Sequence, residues 1–202
     1  MRKTYLNFND LKKDLTNLKI IGKGWRGTVY QAVFGNQKVA VKVPNSVQLK
    51  YAIQKEAFVL SIVNKKHIGS KLILAGEDFL MYKFVEGQHL EDVLNENNYK
   101  KLLSELFYQA RQLDLLGINK DEFQRPLKNA IVDKNMNITL IDFERAIFSK
   151  KPSNVTQLLQ FIMRLPYIKH VSKDEIIQLG KEYKSFPDAR NYEKILKNVL
   201  GA

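Results

Sequence analysis

Between residues 18 and 43 apolar and polar positions alternate with a period of two, the spacing of half-buried strands. The run LKIIGKGWRGTVYQAVFGNQKVAVKVP is punctuated by Gly35-Asn36 as a hairpin turn would be, and it predicts three antiparallel strands at roughly 18–24, 27–34 and 37–43. Pro44 ends the third. Asn45 or Ser46 then caps a helix running to about Asn64, with Leu49, Ile53, Glu56, Ala57 and Leu60 on one side. Asn9 and Asp10 open a short helical stretch ahead of the first strand, and KLILAGEDFLMYKFVEG (71–87) predicts two further strands about a turn at Gly76-Glu77-Asp78.

After Gly87 the period becomes helical, over 88–95 and 99–116. A loop at 117–128 leads to two short strands, NAIVD and ITLID, and helices return at about 153–164, 173–184 and 191–199. Ser172 with Glu175 forms a capping box at the start of the second of these. A mostly β segment (1–87) followed by a mostly helical one (88–202) is an α+β plan: two lobes of one domain with a cleft between them.

Composition narrows this picture in three ways. There is no cysteine, which excludes disulfides and thiolate metal sites, and His67, His89 and His170 lack zinc-ligand spacing. The start of the chain is charged without an apolar stretch behind it, and the longest apolar run, AFVLSIV, is far shorter than the roughly 20 residues of a membrane span, so a soluble, cytoplasmic protein is expected. The net charge of +12 favours acidic partners such as nucleotides or RNA, although the basic residues are dispersed along the chain.

The candidate chemistry begins with GKGWRG (22–27), a G-x-G-x-x-G match followed by the β-patterned TVYQAV. A dinucleotide fingerprint requires a helix there, so this loop joins two strands, as does the glycine-rich flap that covers ATP phosphates. At its tip Arg26 either touches phosphate or faces water. Lys42, inside VAVKV, is costly to bury unpaired, and Glu56 on the next helix is placed to pair with it. Asp142, in LIDFERA, follows two apolar strand residues and suits a magnesium ligand, with Asn129 able to present its amide oxygen to the same metal.

In this order the motifs resemble the protein kinase-like superfamily: VAVK looks like its third-strand motif, FLMYKFVEG like its adenine hinge and IDFERA like its D-F-G element. DFE replaces DFG, no A-P-E follows, and the abbreviated chain is similar to minimal RIO-like kinases, to the small kinase of the KEOPS tRNA-modification complex and, most closely, to archaeal predicted serine/threonine kinases. The resemblance covers roughly residues 18–165. It implies a bilobal fold with a five-stranded antiparallel N-lobe plus one helix and an abbreviated, mainly helical C-lobe. It also implies ATP and Mg²⁺ as cofactors. Gly22, Gly24, Gly27 and Val29 would then cover the nucleotide, Lys42 with Glu56 would position its phosphates, Tyr82 would be the gatekeeper and Lys83, Phe84 and Val85 the hinge. Asn129 and Asp142 would hold the metal.

The catalytic base stays open between two residues. Its usual position, five before the metal-binding asparagine, is occupied by Gln124; two extra loop residues make Glu122 the base and three make it Asp121. The expected function is an ATP- and Mg²⁺-dependent serine/threonine protein kinase able to phosphorylate itself. The rivals are an ATP-binding scaffold or ATPase in an RNA- or ribosome-associated complex, and a small-molecule kinase.

Overall fold

A computed structural model describes residues 4–201; the charged start read at residues 1–3 and the final Ala202 lie outside them. The fold is α+β, and the chain forms two compact units. The first runs through Glu86 and also takes in Ile141–Glu144; the second is Gly87–Leu140 with the rest of the chain from Arg145.

In chain order the first unit holds α1 (Phe8–Lys12), β1 (Leu15–Lys23), β2 (Gly27–Phe34), β3 (Gln37–Pro44), α2 (Lys50–Val63), β4 (Leu72–Ala75) and β5 (Leu80–Lys83). The strands form a five-stranded sheet in the order β1-β2-β3-β5-β4, and every neighbouring pair is antiparallel. The β2–β3 register pairs Phe34 with Gln37 across the two-residue Gly35-Asn36 turn, with Gly35 at φ 60°. β3 is central, and Val39, Ala40, Val41 and Lys42 are all buried. Val39 and Val41 face one side, where they join Leu11, Ala32, Phe79 and Met81 in the core. α1 closes that side. Phe8 stacks on Tyr30 at 5.4 Å between ring centroids, and the Phe8 amide donates to Asp78 Oδ1 at 2.7 Å. Ala40 and Lys42 point to the opposite face by strand alternation.

Two boundaries differ from the expectation. α2 begins at Lys50, after a 3₁₀ turn at Val47–Leu49, and neither Asn45 nor Ser46 caps it. α1 is short as expected but begins at Phe8, ahead of Asn9-Asp10, and its N-cap is Asn7, whose Oδ1 accepts from the Asp10 amide at 3.1 Å.

The second unit contains β6 (Gln88–His89), α3 (Leu90–Val93), α4 (Tyr99–Leu115), β7 (Ile118–Asn119), β8 (Ala130–Val132), β9 (Ile138–Leu140), β10 (Ile147–Phe148), α5 (Asn154–Ile162), α6 (Lys173–Ser185) and α7 (Ala189–Leu200). The expected helix over 88–95 is instead a two-residue strand and one helical turn, because Gln88 and His89 pair with Val132 and Ile131 of β8. β7 and β10, also unforeseen, pair with each other. α4 is the core helix: Leu102, Leu103, Leu106, Phe107, Ala110 and Leu113 are fully buried at helical spacing, and it packs on α5 and α7. The capping box on α6 forms in both directions, with Ser172 Oγ accepting from the Glu175 amide and Glu175 accepting from the Ser172 amide. Among the described residues no helix is long and apolar enough to cross a membrane.

Leu11 is fully buried although it sits on a helix of only five residues. Leu11→Ala is expected to lower the unfolding free energy by about 2–4 kcal/mol, whereas Leu6→Ala, at an exposed position, should change it by less than about 0.5 kcal/mol. Urea midpoints at unchanged slope measure both.

Candidate active site

The polar face of β3 carries Lys42, which is only 7% exposed. A buried ammonium has three hydrogens to satisfy, and three carboxylates meet it. Its Nζ lies 2.7 Å from Glu56 Oε2, 3.0 Å from Asp142 Oδ1 and 3.1 Å from Glu144 Oε2. Burial by itself would lower the Lys42 pKa. Glu56, then Asp142 and Glu144, outweigh that and hold it well above the ordinary lysine value, so the side chain stays charged. Burial pushes the Glu56 carboxyl up, while Lys42 and the Phe143 amide pull against it.

Glu56 reaches this position because it lies on the inner face of α2 with Ile53, Val59, Leu60 and Val63. Its second oxygen, Oε1, accepts from the Phe143 amide at 3.0 Å. Phe143 is fully buried against α2 and the connection that follows it: a Cβ on Gly69, which has φ +76°, would lie 2.9 Å from its ring. Anchoring Phe143 fixes its neighbours, and Asp142 takes a left-handed conformation (φ 59°) that short polar side chains tolerate. Lys42, Glu56 and Asp142 therefore meet in the first unit, joined by Glu144, to which the sequence pattern assigned no role.

The 22–27 loop joins β1 to β2 as expected. Of its glycines, Gly27 is packing-constrained, since a Cβ there would sit 2.8 Å from the Val43 carbonyl oxygen, whereas Gly22 and Gly24 have room for one. Val29 is directly opposite Lys42 in the β2–β3 ladder. Arg26 does not simply face water: its Nη1 pairs with Glu144 Oε1 at 2.8 Å. Asn45, expected as a helix cap, serves this loop instead. Its Nδ2 donates to the Gly24 and Trp25 carbonyls, and its Oδ1 accepts from the Thr28 hydroxyl. Tyr82, paired with Ala40, has a phenol pushed well above its usual value, first by burial and then by the Glu56 carboxylate. Beyond it Lys83 is exposed and Phe84 and Val85 are half-buried, with the Phe84 amide donating to the Lys38 carbonyl at 3.1 Å.

The second unit holds the other candidates. Lys120, Glu122, Phe123, Pro126, Asn129 and Leu140 line one small open depression. Lys120 is 1% exposed and its Nζ pairs with Glu122 Oε2 at 2.8 Å. Glu122 and Asn129 thus share a site, while Asp121 (φ 65°) and Gln124 are exposed. The loop is fastened from behind by a buried polar network. Asn154 Oδ1 accepts from the Lys120 amide at 2.8 Å, and Asn154 Nδ2 donates to Asp114 Oδ1 and to the Ile118 carbonyl, both at 2.7 Å. Asp114 also accepts from the Tyr183 hydroxyl at 3.1 Å. Nothing periodic marks this network. Its trace in the sequence is a polar residue, Asp114 or Asn154, standing where an apolar one would fit.

Magnesium favours hard oxygen ligands, and the carboxylate oxygens of Glu56, Asp142 and Glu144 come within 4.8 Å of one another. Against Lys42 and Arg26 these three acids leave one net negative charge, a donor set that fits a divalent cation. Asp142 belongs to the first unit and Asn129 to the second.

No family model matches the chain. It is 28% identical over 151 residues, 66% of this chain and 41% of the relative, to a serine/threonine-protein kinase-like protein of Arabidopsis thaliana. It is 27% identical over 144 residues, 62% of this chain and 23% of the relative, to the Probable serine/threonine-protein kinase KIN1 homolog of Enterocytozoon bieneusi. A third relative, U-box domain-containing protein 70 of Oryza sativa subsp. japonica, is 32% identical over 102 residues, 49% of this chain and 12% of its own length. Two of the three are named as serine/threonine kinases or kinase-like. The matched region spans less than half of each relative. At this coarse level the likeness is to protein kinases, and the α+β fold with its five-stranded antiparallel sheet is compatible with it.

Asn154→Ala would remove the Nδ2 donor from Asp114 and from the Ile118 carbonyl and leave the Lys120 amide without its acceptor, while the backbone amide of residue 154 stays on Asp114. It is expected to cost about 2–3 kcal/mol of stability and to speed hydrogen exchange at the Lys120 amide, read by denaturant melts and exchange mass spectrometry.

Proposed function

We propose that the protein is an ATP- and Mg²⁺-dependent phosphotransferase of minimal, RIO-like kinase type, passing the γ-phosphoryl group to serine or threonine hydroxyls, its own included. The observation that carries this reading is the buried Lys42 held by Glu56 beside Asp142. A lysine so paired is pre-aimed and permanently charged, which is what a phosphate-binding cation needs. Asp142 would hold magnesium, which draws charge from the phosphates when bound.

In this reaction the acceptor oxygen bonds to the γ-phosphorus as the bond to the β,γ-bridging oxygen breaks, and ADP departs with that electron pair. The hydroxyl proton passes to a carboxylate, for which Glu122 is the better placed of the two acids, since it shares its depression with Asn129. Lys120, paired to Glu122, orients that carboxylate. Glu56 touches no substrate and acts by holding Lys42. Gly24 and the loop around it would cover the phosphates with Arg26 and Lys42 as cations.

The net charge of +12 favours a second reading, an ATPase or nucleotide-binding scaffold of an RNA-associated complex. The two readings part in one experiment with γ-labelled ATP. Transfer to the protein or to an added protein acceptor is expected for wild type, with losses of at least about a hundredfold in Lys42→Met and Asp142→Ala. Glu122→Gln should fall by about 10²–10⁴-fold and Asp121→Asn should stay near wild type; the reverse result would move the base to Asp121. Label that persists in both Lys42→Met and Asp142→Ala discards the phosphotransfer reading. Hydrolysis stimulated by RNA without transfer establishes the second.

A further inference from the structure

The pairing of Arg26 with Glu144 has no part in the reaction just described. Glu144 stands in the third position of the D-F-E element and is half-buried. One of its oxygens, Oε1, takes Arg26 at 2.8 Å, and the other, Oε2, takes Lys42 at 3.1 Å. A single carboxylate therefore occupies both cations that the phosphates of a nucleotide would need. We propose that Glu144 is a positioning residue that latches Arg26, the cation at the tip of the β1–β2 loop, and surrenders it to the phosphates when a magnesium–nucleotide complex arrives. This rests on the phosphotransfer reading and deepens it.

The geometry allows the exchange to be local. Asn45 grips the loop backbone from beneath, donating to the Gly24 carbonyl at 2.8 Å and the Trp25 carbonyl at 3.1 Å, and its own amide donates to the Arg26 carbonyl at 3.0 Å. The Gly24 amide donates to the Gly27 carbonyl at 2.9 Å, closing the turn. With the backbone tied in this way, release of the Arg26 side chain requires only rotamer changes. A guanidinium binds carboxylate and phosphate with the same planar fork of donors, so one charge-assisted partner replaces another. Lys42 keeps Glu56 and Asp142 throughout. In the latched state Arg26 is neutralised, and a bare anion meets three carboxylates; in the released state it is free for the phosphates.

Trp25 makes the latch observable. It is the single tryptophan of the chain, 80% exposed, and the Arg26 guanidinium lies 5.5 Å from its ring centroid. Its emission therefore reports on Arg26 directly, independently of any catalytic turnover.

The test titrates Mg²⁺ with a non-hydrolysable ATP analogue into wild type, Glu144→Gln, Arg26→Gln and the double variant, reading Trp25 emission and affinity. Wild-type emission is expected to shift on binding. Glu144→Gln should show shifted emission before any nucleotide is added and bind about tenfold tighter, the scale of one charge-assisted hydrogen bond. Arg26→Gln should bind about tenfold weaker, and the double variant should gain nothing over it. Glu144→Asp, which keeps the charge, should move affinity back toward wild type. A gain of equal size with or without Arg26 overturns the latch, as does unchanged affinity in Glu144→Gln. Weaker binding in Glu144→Gln also overturns it and makes Glu144 a metal ligand instead. Thermal melts identify any variant that fails to fold, and Arg26→Gln, altered at a partly exposed side chain, then carries the test alone: affinity equal to wild type overturns the proposal. Absence of nucleotide binding by wild type removes the phosphotransfer reading and the latch together, whereas wild-type binding with an unmoved Glu144→Gln removes the latch only.

Discussion

A lysine ammonium buried on the central strand of a sheet is the constraint around which the first unit is arranged. Taking such a group out of water costs several kcal/mol unless partners with good geometry replace the lost solvent. Lys42 finds three, and none comes from its own strand: Glu56 is on α2, and Asp142 and Glu144 lie a hundred residues further along the chain. Meeting the demand of one side chain therefore fastens α2 and the 141–144 segment to β3. Glu56 spends both oxygens on this, one on Lys42 and one on the Phe143 amide. The dependence runs both ways, since without the cation three carboxylates would stand within 4.8 Å of one another. The ion cluster and the local fold are consequently one cooperative object.

The same strand explains why one face of the sheet is dry and the other chemical. Strand alternation sends Val39 and Val41 one way and Ala40 and Lys42 the other. The first pair requires an apolar cover, which α1 provides through Phe8 and Leu11. That cover is assembled from local neighbours and leaves the opposite face to be organised by charge. Ala40 and Gly27 keep the backbone close on that side, Tyr82 brings a phenol against the carboxylates, and the loop at 22–27 bends over under the grip of Asn45. A packing rule and a binding arrangement thus follow from a single five-residue pattern, VAVKV.

What could be read from the chain beforehand follows from this division. Elements longer than about one turn or four strand residues leave a periodic trace, and the five strands, α4 and the α6 capping box all appear near their expected positions. Pairings across long loops leave none. The two-residue strands β7 and β10 are too short to alternate, and Gln88-His89 belongs to a strand only because β8 lies beside it. Asn45 was ambiguous for a chemical reason: the same short amide that caps helices also closes loops, and the local sequence does not distinguish the two. Glu144 was hidden differently. It replaces the glycine of the familiar motif, so its residue type was visible, but its partners Lys42 and Arg26 are 102 and 118 positions away and only folding brings them to it.

Charge distribution adds a final step. The chain carries 33 basic and 21 acidic residues, yet three of those acids converge on one lysine. The surface at large therefore attracts polyphosphates, while the centre of the cluster, with two cations against three carboxylates, repels them. On the phosphotransfer reading, a nucleotide drawn in by the long-range field meets a short-range barrier that positive charge removes. On that reading a divalent cation supplies that charge, so nucleotide and cation gain from arriving together and each binds weakly without the other. Latching Arg26 strengthens this coupling, because the cation at the loop tip is committed to Glu144 until the magnesium–nucleotide complex draws it away.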